Sequence, residues 1–205
     1  MMKVMRQFWT GVGSRETPPD ILLMMELIGK VLTDLGYILR SGGAEGADTA
    51  FYAGCKKSAM FEVNKPIIYI SWNGMDAYGK NWYHDPSIGY YNAKRYPTWN
   101  IANEMAFNLR GSFERLGWKG IAHHTRNVFQ VIGDDLHSPS NFLICWARPK
   151  NKRKPFVHGG TATAVKLAYL RDIEIYNLYH PQVFNRFVDF LDKYDEPHPF
   201  EKKVA

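Results

Sequence analysis

The chain has 205 residues, with 26 Lys and Arg against 20 Asp and Glu and a formal net charge of +6 at pH 7. Hydrophobic residues make up 45% and charged residues 22%, which supplies a sizeable core and excludes a disordered chain. No apolar run approaches the roughly 20 residues of a membrane span, residues 1–6 are too short and too polar for a signal peptide, and Cys55 and Cys145 have no zinc-like spacing and read as reduced core residues of a cytoplasmic protein.

The length suits one domain over residues 1–195, with an insertion at about 73–98 and a loose polar tail at 196–205. Residues 8–12 read as a short buried strand closing on Gly11-Val12-Gly13-Ser14-Arg15. Pro18-Pro19-Asp20 opens a helix, proline being tolerated in the first turn, and residues 21–35 keep helical spacing until Gly36 ends it. Residues 37–39 form a second strand that runs into Ser41-Gly42-Gly43-Ala44-Glu45-Gly46-Ala47-Asp48, and residues 48–57 a second helix. In the third strand, residues 66–72, the unbroken run Ile67, Ile68, Tyr69, Ile70 suits a parallel sheet covered on both faces. From 73 to 98 the pattern breaks into Tyr, Gly, Asn and Pro without a period, and a loop this long reads as an ordered functional insertion or a lid. Helical spacing returns over 100–116, a fourth strand over 141–146, a helix from Gly160 to Leu170, a fifth strand over 174–178, and a last helix from His180-Pro181 to about Tyr194. Strands alternating with helices predict an α/β fold: an open parallel sheet with helices on both faces, right-handed crossovers and an aromatic-rich insertion after the third strand.

In such sheets ligands bind at the carboxyl ends of the strands, where the loops at Gly13, Ser41 and Gly159-Gly160-Thr161 all lie. Glycine lets backbone approach a ligand, and a helix N-terminus offers free N–H groups to an anion. Ser14 has a hydroxyl to donate and Arg15 a forked guanidinium for phosphate. Ser41 is a further donor beside Gly42, Gly43 and Ala44. Asp48 is a poor ligand for an anion and is expected to cap the following helix or hold the loop. His123 and His124 are adjacent, so their rings point in different directions on any regular element, and no third ligand gives a metal site. Arg126 and Asn127 are candidates for anion or base recognition; the alternative is a polar connector before Gly133.

In the insertion Trp72, Trp82, Tyr83, Tyr90, Tyr91, Tyr96 and Trp99 alternate with Lys80, Lys94 and Arg95. This pattern suits either base stacking or packing of the insertion onto the sheet. His84-Asp85 is a weak acid–base candidate. The run Lys150-Asn151-Lys152-Arg153-Lys154 is a solvated loop or a contact for nucleic-acid phosphate. No nucleophile–base arrangement stands out, so no catalytic residue, metal or cofactor is assigned.

The three glycine segments, followed by a helix and Ile173-Glu174-Ile175-Tyr176-Asn177-Leu178, resemble the Rossmann-like SLOG superfamily, which includes DprA-type DNA-processing proteins and LOG-type phosphoribohydrolases. The Ser41–Asp48 loop is most similar to the DprA side. The whole pattern, with His124-Thr125-Arg126-Asn127-x-x-Gln130 and Phe142-Leu143-Ile144-Cys145-Trp146, is similar to DprA-like proteins common in bacteriophages. The resemblance covers roughly residues 7 to 190 apart from the insertion. It implies a nucleotide site that includes Asp48, Gln130 and the three loops, a homo-oligomer, and host cytoplasm as the location if the chain is phage-encoded. Two departures matter. The LOG glutamate has no counterpart in His158-Gly159-Gly160-Thr161-Ala162-Thr163-Ala164-Val165-Lys166, and the winged-helix-like domain that DprA proteins often carry is not expected within these 205 residues.

Three functions follow. The first is binding of a nucleotide or nucleotide-derived ligand by a sensor or sequestering protein. The second is single-stranded DNA binding in recombination. The third is a nucleoside-monophosphate glycosidase using another acid, such as Asp48, Asp85 or Glu45.

Overall fold

β1 (Gln7–Gly13) is the middle strand of the main sheet: it pairs in parallel with β2 (Tyr37–Ser41) on one side and with β7 (Phe142–Trp146) on the other. The computed structural model describes residues 6–77, 79–151 and 154–204. Within them β3 (Ile67–Ile70), β6 (Tyr90–Asn92) and β8 (Glu174–Asn177) complete a six-stranded parallel sheet of order β6-β3-β2-β1-β7-β8. The fold is α/β and Rossmann-like, as the alternation predicts.

Successive strand residues face opposite sides, and this sorts the core into two layers. Trp9, Leu39, Ile68, Ile144 and Trp146 pack with α1 (Pro19–Asp34), α2 (Ala47–Lys57) and α6 (Pro181–Lys193). Val12, Tyr69, Leu143 and Cys145 pack with α3 (Trp99–Arg110), α4 (Trp118–Ile132) and α5 (Ala162–Leu170). Trp9 is fully buried and meets Phe51 edge-on at 5.1 Å; truncating an aromatic so placed costs about 3–5 kcal/mol. Both cysteines are free and buried, and burial pushes each thiol up to about 12.

Three segments carry more structure than the sequence pattern showed. The region 118–132 is a helix, α4, and not a connector: its apolar residues Val128, Phe129, Val131 and Ile132 are buried, and so are most of its polar ones. The insertion is ordered. It holds an antiparallel hairpin, β4 (Met75–Ala77) with β5 (Lys80–Trp82), and then contributes β6 to the main sheet. Aromatic content without a period hid these short strands. The tail is not loose: Lys30 Nζ donates to Glu196 at 2.5 Å, Lys203 N donates to Asn185 at 2.7 Å, and Phe200 packs on Phe184. Lys152 and Arg153 of the basic run lie outside the described residues; Lys154 is exposed.

Candidate functional site

The chain leaves β1 to build β2, β3 and β6 on one side and returns to build β7 on the other. The strand order therefore reverses between β1 and β7, and the crevice at such a switch point is where open α/β sheets bind ligands. A pocket of about 310 Å³ lies there. Ser14 N donates to Trp146 O at 3.0 Å, so the first glycine loop sits against the end of β7.

Eleven of the fourteen predicted residues line this pocket: Gly13, Ser14, Arg15, Ala44, Asp48, Arg126, Asn127, Gln130, Gly159, Gly160 and Thr161. Ser41, Gly42 and Gly43 do not. The Ser41 hydroxyl is buried and donates to Gly11 O at 2.6 Å, tying β2 to β1. Gly43 has φ +67°, and a side chain there would point at Ile68, Met75 and Tyr90, into the core. Gly42 lies directly over Arg126 and leaves room for its guanidinium.

α4 supplies the floor. Arg126 Nη1 donates to Asp48 Oδ2 at 3.2 Å, a buried ion pair between α4 and α2. Burial pushes the Asp48 carboxyl up, while Arg126 and the Ala44 and Gly42 N–H groups pull it back toward the charged form. Asp48 thus holds the loop, through Ala44 N at 3.3 Å, and also faces the pocket. The Gln130 amide is oriented by its partners: its oxygen accepts from Gly42 N at 2.8 Å and Arg126 Nη1 at 2.9 Å, and its nitrogen donates to Asn127 Oδ1 at 2.9 Å. Asn127 Nδ2 donates in turn to Gly160 O at 2.8 Å. One network joins the second and third glycine loops through a single helix. Arg126 Nε has no acceptor within it.

The opposite wall is the approach to α5. The N–H groups of Gly159, Gly160 and Thr161 have no acceptor among the described residues. Beside the partial positive charge of the helix start they suit an anion. The Ser14 hydroxyl accepts from Glu16 N at 3.1 Å, which leaves its proton to donate. Arg15 is exposed at the rim.

Sequence reasoning missed Val12, Glu16, His123 and His158 as lining residues. The signal for His123 was present: His123, Arg126, Asn127 and Gln130 are spaced i, i+3, i+4, i+7, one face of a helix. The two adjacent rings diverge. His123 Nδ1 meets Ser71 Oγ at 2.9 Å, whereas His124 Nδ1 meets Thr163 Oγ1 at 2.6 Å. Burial, then Arg126 and Arg15, push His123 down to about 3; burial, then Arg110 and Arg126, push His124 down to about 4. Both are neutral at pH 7. Among the described residues no group of three His, Cys, Asp or Glu side chains could hold a metal, and no helix is long and apolar enough to cross a membrane.

The insertion's aromatics mostly pack inward. Trp82 stacks on buried Tyr90 at 4.7 Å, and Tyr96 and Trp99 lie against Phe129 at 5.7 and 6.2 Å. His84 Nδ1 accepts from Asn92 N at 3.1 Å, and Asp85 caps a short turn through Ser87 N at 3.0 Å. Both are occupied in holding the insertion.

No family model matches the chain, and no curated protein matches it. Among solved structures it is similar to the Moco carrier protein of Chlamydomonas rheinhardtii, with 14% identity over 92% of this chain and 86% of that one and a TM-score of 0.47. It is also similar to DNA processing protein A from Helicobacter pylori, a single-stranded DNA binder, with 11% identity over 92% and 81% and a TM-score of 0.36. Likeness at this level carries nothing about ligand or activity.

Proposed function

We propose that the protein binds a nucleotide or nucleotide-derived ligand in the crevice between β1 and β7, with a phosphate at the Gly159–Thr161 N–H groups and Arg15. The observation that carries this reading is the convergence of loops from β1, β2 and β7 on one pocket, with uncommitted backbone donors on one wall and a buried arginine in the floor. Its three glycine loops are those whose sequences resemble the SLOG superfamily, which supports the same reading. Binding is favoured over turnover. The first turns of α5 carry Ala162, Thr163, Ala164, Val165 and Lys166 with no carboxylate, and Asp48 is engaged with Arg126. A sensor or sequestering protein fits this chemistry.

Calorimetry and thermal shift with AMP, ADP and ADP-ribose test the reading. Saturable binding with a raised melting temperature is expected for at least one; no heat and no shift with any of them overturns it.

A second reading, single-stranded DNA binding, is supported by Trp118, which is 58% exposed and has Lys94 and Lys119 at 5.3 and 5.7 Å from its ring. Aromatic rings beside cations suit stacked bases. Gel shift of labelled single strands across a salt series separates the two, since phosphate-driven binding weakens steeply with salt.

A further inference from the structure

A second cavity, of about 290 Å³, adjoins the first and shares Arg15 and His123 with it. Its other walls include Trp72 just beyond β3, Asp76 of β4, Glu45 of the second glycine loop and Lys119 of α4. The two compartments differ in chemistry. The first offers backbone N–H donors and suits phosphate. The second offers an indole and two carboxylates balanced by Lys119 and Arg15, and the carboxylates accept hydrogen bonds from ring amines. Trp72 is held in place by Trp118, edge-on at 5.0 Å, and by His123 at 4.9 Å. His123 stands at the junction with one ring nitrogen committed to Ser71. Arg15 is the cation that both compartments share, and a phosphate chain would run past it.

We propose that the two cavities hold one ligand end to end: a nucleotide with its phosphates at Gly159–Thr161 and an amino-bearing base in the second cavity, against Trp72 and beside Asp76. This rests on the reading above and deepens it, naming adenine-type nucleotides in place of bare phosphates or sugar phosphates. It also gives the hairpin of the insertion a task, since β4 forms a wall of the base compartment.

Calorimetry with two probes, ADP and inorganic pyrophosphate, separates the compartments. The wild type is expected to bind ADP more tightly than pyrophosphate. Trp72→Leu should weaken ADP about 5- to 150-fold, the worth of one stacked base, and leave pyrophosphate within about two-fold. Trp72→Phe should keep most of the ADP affinity. Asp76 is exposed, so Asp76→Ala tests the same compartment without disturbing the core; it should weaken ADP alone. Equal affinities of the wild type for the two probes overturn the inference and leave the anion site standing. So does a Trp72→Leu or Asp76→Ala effect of the same size on both probes. A wild type that binds neither overturns the proposed function together with this inference.

Discussion

A side chain on Gly42 would fall within the guanidinium of Arg126, so the second glycine loop and α4 interlock at this one point. The same guanidinium pairs with Asp48 at 3.2 Å. Adding a methyl group at Gly42 must therefore displace a buried cation from its carboxylate, and breaking such a pair costs about 3–5 kcal/mol. Gly42→Ala is expected to lower the melting temperature markedly and to abolish ADP binding. In an Arg126→Gln background, where the space is vacated, the added cost of Gly42→Ala should shrink. A thermal-melt cycle over the four proteins checks this, and equal costs in both backgrounds would refute the interlock.

Arg15 stands at the rim with its side chain exposed. Arg15→Ala is expected to leave the melting temperature unchanged and to weaken ADP binding tens-fold, in line with about 1.5–3 kcal/mol for a charged hydrogen bond. Calorimetry on the variant decides; unaltered affinity would remove Arg15 from the site.

Gly160 and Gly43 give opposite results under the same substitution. Gly160 lines the pocket, and a side chain there meets nothing within 4 Å. Gly160→Val should block ADP while the fold melts as before. At Gly43, φ is +67° and a side chain would press on Ile68 at 3.1 Å. Gly43→Val should lower the melting temperature through backbone strain and crowding. Loss of binding in Gly160→Val accompanied by an equal loss of stability would mean that this loop is an ordinary turn.

Stability should fall with mild acid. His124 is held at about 4 by burial, then by Arg110 and Arg126, whereas in the unfolded chain it titrates near 6.5. Between these values the unfolded state binds the extra proton. Its contribution is full above about pH 6.5, is lost as the pH drops toward about 4, and levels off below that. Urea midpoints at about pH 7.5 and 5 should show the fall, and His124→Gln should make it smaller without abolishing it, since His123, held at about 3, adds to it over the same range. The comparison with the variant isolates the ring from Asp48, whose raised carboxyl acts in the opposite direction. Equal slopes in the two proteins would show that His124 is charged in the fold.

The sheet was legible in the sequence wherever a strand is a continuous apolar run, as in Ile67–Ile70 and Phe142–Trp146, because strands covered on both faces contain little else. The glycine loops were legible because close backbone approach admits few other residues. What escaped has physical reasons too. α4 buries His124, Arg126, Asn127 and Gln130 beside its apolar face, and a rule that reads polar residues as exposed misses a helix whose polar stripe is satisfied inside the protein. β6 spans three residues, too few for any period to show. Ser41 and Gly43 were drawn into the site by their neighbours in the loop; Ser41, at the end of β2, turns its hydroxyl to Gly11 O, and the open side of Gly43 faces the core.

The register of β1 sets an order of events during synthesis. Thr10 donates to Ser140, which lies 130 residues further along the chain, and Trp9 through Gly13 pair with Phe142 through Trp146. β1 to β3 can zip together early, through contacts close in sequence. The far side of the central strand waits for β7. Closing so long a loop is entropically costly and slow, and until it closes one edge of this central strand is bare, a template for pairing with another chain. The ribosome must deliver β7 and the Gly159–Thr161 loop before the crevice exists, so a chain stalled before β7 has neither a site nor a protected centre.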